Sequence, residues 1–367
     1  MVEWKKLGDI ANITIGEFVH KDKQNPKAKY PVYNGGTTYT GFYDNYNNTG
    51  NKIVISARGY AGFVNRVFDN YWAGNSSYSI DVNEAIAIWH FVYYYLKNEQ
   101  FNIMSMQQKG GGLAAISKKQ VQEFPIPIPL LSEQVRIVGI LDTFTASINN
   151  LKEQIAERRK QYEHYRDQLL DLEGKEDSII SFGDVCKMIK GDGVQKVDFV
   201  DEGIGCIHYG QIYTHYGSFT YITNKFVSKE VFEKAKKASK GDIIMTDTSE
   251  NVEDICKSVA YLGEDDIAVS NHALIIKHNQ NPKFLSYITL TKSFFLQKRK
   301  YVVGVKVSGI KPNDLAKIKI FLPSIEEQNH IVSILDTFEA SIANLEAQLE
   351  LREKQYEYYR NKLLTFE

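Results

Sequence analysis

Two groups of glycine-flanked polar loops hold the side chains with the most chemistry to offer. The first group is Tyr33-Asn34-Gly35-Gly36-Thr37, Ser56-Ala57-Arg58-Gly59-Tyr60, Trp72-Ala73-Gly74-Asn75-Ser76-Ser77 and Gln107-Gln108-Lys109-Gly110-Gly111-Gly112. The second is Tyr209-Gly210-Gln211-Ile212-Tyr213, Thr246-Asp247-Thr248-Ser249, Ser270-Asn271-His272 and Gly304-Val305-Lys306-Val307-Ser308. Such groups donate to phosphates and match base edges, Arg to guanine and Asn or Gln to adenine. The candidate DNA contacts in the first group are Arg58, Tyr60, Asn75, Ser76 and Lys109. In the second they are Gln211, Tyr213, Thr246, Thr248, Asn271, His272, Lys306 and Ser308. They are chosen by chemistry and loop position; taken singly, each loop has the composition of an ordinary polar turn.

Catalytic patterns are missing. There is no Pro-Pro dipeptide, hence no Asn/Asp-Pro-Pro-Tyr/Phe signature of an amino-methyltransferase, and no GxxxxGK[ST] phosphate loop. The Gly110-Gly111-Gly112 run does not open a strand–helix dinucleotide site. His208 and His215, and His272 and His278, lack a partner at metal-ligand spacing. Carboxylates are numerous, but no nuclease constellation stands out. The three cysteines, Cys186, Cys206 and Cys256, are too few for a disulfide framework, which suits a reduced, cytoplasmic compartment. No charged-then-apolar leader or membrane-length apolar run is expected to target the chain elsewhere. The chain reads as a binder rather than an enzyme, with no metal or cofactor of its own.

What positions these loops is a repeat. Residues 129–173 recur at 323–367 with a constant offset of 194 and no gap, identical at 26 of 45 positions. Apolar residues in the first copy fall at Ile137, Leu141, Phe144, Ile148, Leu151, Ile155, Tyr162, Tyr165 and Leu169. The second repeats them at Ile331, Leu335, Phe338, Ile342, Leu345, Leu349, Tyr356, Tyr359 and Leu363. Steps alternating four and three over about five heptads are a coiled-coil seam. Arg158 and Arg352 occupy the one polar seam position in each copy, where a charge can fix register. Ser132 is the expected cap of the first helix. Two equal seams in one chain predict antiparallel pairing with each other rather than homo-oligomerisation.

Each helix follows a longer segment, giving expected domains at 1–128, 129–173, 174–322 and 323–367. Net charge is +3 on 1–128 and +3 on 174–322, but −2 and −5 on the two helices, so the acid sits on the helices. Mildly basic units are compatible with two DNA-facing surfaces. The units open alike, Leu7-Gly8-Asp9-Ile10 against Phe182-Gly183-Asp184-Val185, and close alike before the repeat, while their interiors diverge. Short β-prone runs are expected at 53–57, 77–82, 242–246, 258–262, 273–277 and 317–321, and helices at 84–96, 228–237 and 282–296. The fold class is α+β: two mixed α/β domains separated by two long antiparallel coiled-coil helices, with pseudo-two-fold symmetry.

The unit–helix–unit–helix plan, the LGD-type openings, the IPIPLLSEQ and IFLPSIEEQ closures and the twice-used EQxxIVxILDxF helix start resemble the specificity subunit of type I restriction–modification systems. That resemblance covers the whole chain. It implies two target recognition domains, each reading one half of a bipartite asymmetric site in double-stranded DNA. The paired helices would set the gap and dock two methyltransferase subunits, and restriction (motor–nuclease) subunits would join them. S-adenosylmethionine, ATP and Mg2+ would be used only in those partners. The rival from another class is a coiled-coil scaffold whose two heads bind proteins.

Overall fold

The computed structural model describes residues 2–107, 114–304 and 308–366. It divides into two compact units: Met1–Lys152 with Ala347–Glu367, and Glu153–Glu346. Each unit therefore contains one globular part and a section of both repeat helices.

In the first unit the shared opening and closing motifs are partners. Strand Glu3–Lys6 pairs antiparallel with Pro125–Ile128. The single turn Leu7–Ile10 follows, with Leu7 fully buried and its amide donating to the Phe124 carbonyl at 2.8 Å. A four-stranded antiparallel sheet runs in the order Ala11–Ile15, Ser77–Val82, Lys52–Ser56, Val64–Val67. Beside it is a three-stranded sheet of Gly41–Tyr43, Tyr30–Tyr33 and Trp72–Ala73. The helix Trp89–Asn98 buries Phe91, Val92, Tyr94 and Leu96 on Ile53, Ile55 and Ile80. Ile137 and Leu141 from the first repeat helix and Leu364 from the second complete this core.

The second unit repeats the frame. Ile179–Ser181 pairs antiparallel with Lys319–Phe321, and Phe182, equivalent to Leu7, is buried with its amide on the Ile318 carbonyl at 2.8 Å. A Cβ on Gly183 would stand 2.5 Å from Ala316 Cβ, so that turn needs its glycine, and one on Gly8 would make a tight 3.1 Å contact with Gln122 Cβ. The interior differs. A five-stranded sheet of Cys186–Lys190, Ala273–His278, Ile243–Thr246, Ser258–Tyr261 and Phe219–Thr220 lies beside a second one. That second sheet runs Phe199–Val200, Lys225–Val227, Ile204–Ile207, Ile267–Val269, Lys236–Ala238. The three thiols are free, and burial pushes each up to about 12, leaving them protonated and inert.

Three expected helices differ in extent. The first starts at Trp89, because residues 84–86 form a turn whose Asn83 carbonyl accepts from Ile86 N and Ala87 N. The second stops at Lys234, and Lys236–Ala238 becomes an edge strand against Ile267–Val269. The third is two helices, Pro282–Thr289 and Lys292–Lys298, because the Thr291 hydroxyl caps a fresh start at Phe294 N. These boundaries are set by side-chain caps and sheet pairing, which outweigh propensity.

The repeat helices are Leu131–Leu170 and Ile325–Leu364, 40 residues each. Ser132 lies inside the first turn rather than at the cap, whereas Ser324 does cap the second helix, its Oγ accepting from Glu327 N at 3.3 Å. Within each unit the helix sections run antiparallel. In the first unit Phe144 stacks on Tyr359 at 5.4 Å and Lys152 pairs with Glu353 at 2.8 Å. In the second, Phe338 stacks on Tyr165 at 5.4 Å, and Arg159 pairs with Glu346. The polar seam residues complete the pattern: Arg352 lies over the Phe144 ring at 5.7 Å and Arg158 over Phe338 at 5.9 Å.

Of the seam residues, Ile137, Leu141, Ile148, Ile155, Ile331 and Leu335 are buried. Phe144, Leu151, Tyr162, Leu169, Phe338, Ile342, Leu345, Leu349, Tyr356 and Leu363 are half-buried. Tyr165 and Tyr359 keep one exposed side. Near the helix ends the buried position moves by one, to Leu170 and Leu364. A straight helix drifts about 20° per heptad from a 3.5-residue repeat, so a buried stripe migrates to the next residue over several heptads.

The repeated motif also docks each helix to its own globular part. Gln134 and Gln328 are fully buried. Gln134 accepts from Ile88 N at 2.8 Å and donates to the Pro129 carbonyl at 2.9 Å. Gln328 accepts from Asn281 N at 3.1 Å and donates to the Pro323 carbonyl at 2.9 Å. Ile88 and Asn281 are the residues just before the helices Trp89–Asn98 and Pro282–Thr289. The glutamines thus satisfy one open amide at each helix start.

Candidate nucleic-acid interface

In the first unit three of the polar loops meet. Ala57 N donates to the Ser76 carbonyl at 2.7 Å, Tyr60 N to the Gly35 carbonyl at 3.0 Å, and Ser56 Oγ to the Gly36 carbonyl at 2.8 Å. The contact is close: a Cβ on Gly35 would lie 2.6 Å from the Arg58 carbonyl oxygen, and Gly35 and Gly59 have φ of 77° and 73°. Only glycine takes this conformation without strain. Arg58 and Tyr60 are exposed on this cluster, and Asn75 and Ser76 are half-buried beside it. Asn34, not among the expected contacts, orients the Ser76 loop by accepting from Ser76 N at 2.9 Å. Its signal in the sequence is the Asn-Gly-Gly turn. Lys109 lies outside the described residues.

In the second unit the expected residues separate into two sets. Tyr213, Thr248 and His272 line one cavity of about 490 Å3, together with Tyr209 and Asn251. The Tyr213 hydroxyl donates to the Thr248 carbonyl, and burial raises its pKa, so it remains a donor. Tyr209 sets its ring edge against His272 at 5.3 Å. It was not singled out from the sequence, where its only signal is a place beside Gln211.

Of the remaining residues of the second group, Thr246, Ser308 and Gln211 are buried or committed to local bonds. Thr246 is fully buried and its hydroxyl is committed to the Asp254 and Lys257 carbonyls at 3.0 and 3.3 Å. It shapes the loop and does not reach a base. Ser308 is buried on the short pairing of Thr248–Ser249 with Ser308–Gly309. Gln211 accepts from His208 N at 2.8 Å and donates to Asn224, closing its own helix start. Asn271 is half-buried, and its Oδ1 is buried without a partner among the described residues. Lys306 lies outside the described residues. Polar residues in a loop are interchangeable on paper; which of them face outward depends on bonds from distant strands.

Among the described residues no cluster of three His, Cys, Asp or Glu could hold a metal ion, and no helix is long and apolar enough to cross a membrane.

Comparison with known proteins agrees with this arrangement. The model of the type I restriction modification DNA specificity domain matches residues 1–158 and again 180–352. A putative type I restriction enzyme specificity subunit of Haemophilus influenzae is 29% identical over 100% of this chain and 96% of its own. The specificity subunit of the Escherichia coli type I restriction enzymes EcoR124I/EcoR124II is 28% identical over 100% of this chain and 94% of its own. The solved S subunit of the M. genitalium type I restriction–modification system shares the fold with a TM-score of 0.66, at 18% identity over 100% of this chain and 97% of that one. A domain model met twice, once in each unit, and relatives aligned end to end leave one assignment: the chain belongs to the type I restriction–modification DNA specificity subunit family.

Proposed function

We propose that each unit reads one half of a bipartite, asymmetric site in double-stranded DNA, and that the repeat helices set the gap and dock two methyltransferase subunits. One observation carries the reading. The same frame is built twice, from the same strand pairing, the same turn and the same buried glutamine, and it carries different loops each time. One frame with two loop sets suits two half-sites of unlike sequence. The chain itself is non-catalytic. Methyl transfer from S-adenosylmethionine, ATP-driven translocation and Mg2+-dependent cleavage belong to the methyltransferase and restriction subunits, in the cytoplasm. A seam of about 35 residues spans about 52 Å, which corresponds to about 15 base pairs of duplex.

The test is a methylome. The chain is co-expressed with its neighbouring methyltransferase in a methylation-free host and modified bases are mapped by long-read sequencing. A bipartite adenine-methylated motif with a fixed gap, lost when this gene is removed, is the expected result. An unmodified genome, with two expressed proteins that do not co-purify, would instead support the protein-binding scaffold.

A further inference from the structure

We infer that the second unit selects a base carrying an amino group in the major groove, adenine N6 or cytosine N4, through Nε2 of His272. The inference rests on the reading of this chain as a DNA-specificity subunit and goes on to assign the chemistry of one contact.

Asp247 is bonded to both Thr248 and His272. Its side chain is nearly enclosed, and one oxygen lies 3.7 Å from Lys190 Nζ; an ionised carboxylate only accepts. Thr248 Oγ1 donates to its other oxygen at 2.6 Å. That bond uses the one hydroxyl proton of Thr248. The same Oγ1 lies 3.3 Å from His272 Nδ1, with only a lone pair to offer. The proton between them must then sit on Nδ1. In its neutral form the imidazole carries a single N–H, so with Nδ1 protonated Nε2 is an acceptor.

The ring is also held in place. His272 has φ of 63°, a left-handed backbone that non-glycine residues rarely adopt. The Asp247 amide bonds its carbonyl at 3.2 Å, and the Tyr209 ring packs against it. Strain of this kind persists where the surroundings impose it, and it gathers at binding sites.

The cavity beside His272 has the matching polarity. Glu250 and Asp254 line it and repel a phosphate. Asn251 is locked there by a reciprocal pair of bonds with Asp254, both at 2.8 Å. An acceptor-rich wall suits an incoming donor. In the major groove adenine N6 and cytosine N4 are donors, whereas guanine O6 and N7 and thymine O4 are acceptors that Nε2 would oppose.

The experiment uses the full chain with its methyltransferase subunit, comparing methylomes of wild type, Thr248→Val, Thr248→Ser and His272→Lys. In wild type one position of one half-site should require adenine or cytosine. Thr248→Val, which removes the relay, should reduce that preference about tenfold, whereas Thr248→Ser keeps the motif. His272→Lys, a pure donor, should move the preference to guanine or thymine. The other half-site should be unchanged throughout. A wild-type motif that none of the variants alters overturns this inference and leaves the proposed function standing. No bipartite motif in wild type overturns the proposed function itself. Should a variant silence methylation, binding of the purified complex to a library randomised in that half-site gives the same readout. There, too, an unaltered preference overturns the inference and a shifted one supports it.

Discussion

Tyr94 donates its hydroxyl to Asp142 Oδ1 at 2.5 Å, tying the helix Trp89–Asn98 to the first repeat helix. The repeat makes the same bond again: Tyr287 donates to Asp336 Oδ1 at 2.6 Å, and Asp336 is Asp142 moved by 194 positions. Each aspartate has a cation beside it, Arg66 at 3.4 Å or Lys283 at 2.8 Å. Burial, and then the bond to the aspartate, raise the pKa of Tyr94, so its hydroxyl stays a donor. The twice-used glutamine and aspartate of the helix start are therefore fastenings between helix and globular part.

That relationship makes the fastenings measurable. Tyr94→Phe removes the bond to Asp142 and the one the hydroxyl accepts from Arg66 Nη1 at 3.2 Å, and should cost about 1–2 kcal/mol. Gln134→Ala strips partners from the buried Ile88 amide and Pro129 carbonyl and should cost more, about 2–4 kcal/mol. Thermal unfolding of the purified complex gives both values. A Gln134→Ala variant as stable as wild type would show the glutamine to be incidental.

The aromatic–arginine clusters should govern helix pairing. Phe338→Ala removes the ring that Tyr165 stacks on and Arg158 covers, at an expected cost of about 3 kcal/mol. Arg158→Met keeps the packing and loses only the cation–π term, about 0.5–1 kcal/mol at a partly exposed site. Calorimetry that ranks the two variants the other way would assign the stabilisation to charge rather than packing.

Arg58 is the most direct test of base reading in the first unit, because it is exposed on a cluster whose backbone is fixed by two left-handed glycines. As a base-edge contact, Arg58→Ala should cost about 1–3 kcal/mol and relax one position of one half-site. An equal loss on every sequence, with a shallower salt dependence, would assign Arg58 to a phosphate instead.

One lysine makes stability depend on pH. Burial first, and then the charge of Arg360, pulls the Lys97 ammonium down to about 8 from 10.5. Its folded value lies below its unfolded value, so the unfolded chain holds the extra proton between these two pH values. Stability from this group is full above pH 10.5 and is lost as pH falls through about 8. The Tm of wild type should therefore rise relative to Lys97→Met between about pH 7.5 and about pH 10. A difference that stays flat, or falls, contradicts the assignment.

Much of this architecture was legible from residue order alone. The offset of 194 exposed the two helices, and Leu7-Gly8-Asp9 with Phe182-Gly183-Asp184 marked the shared opening of the units. The pairing of that opening with the closing strand was not legible, since register such as Trp4 opposite Pro127 is a long-range relation. At the site, the chemistry of His272 and Arg58 stood out, but the fate of Thr246 did not. Thr246 both ends the β-prone run 242–246 and opens a polar loop, and only the strand Ile243–Thr246, buried on both faces, decides between these roles. Loop membership could be read; the direction each side chain faces depends on bonds between segments far apart in the chain.

Deleting one heptad from each repeat helix asks whether the two reading units share one ruler. Seven helical residues span about 10.5 Å, equivalent to about three base pairs. The methylome of a host carrying the shortened chain and its methyltransferase should show both half-sites intact and the gap between them reduced. Intact half-sites separated by the original gap would contradict the account.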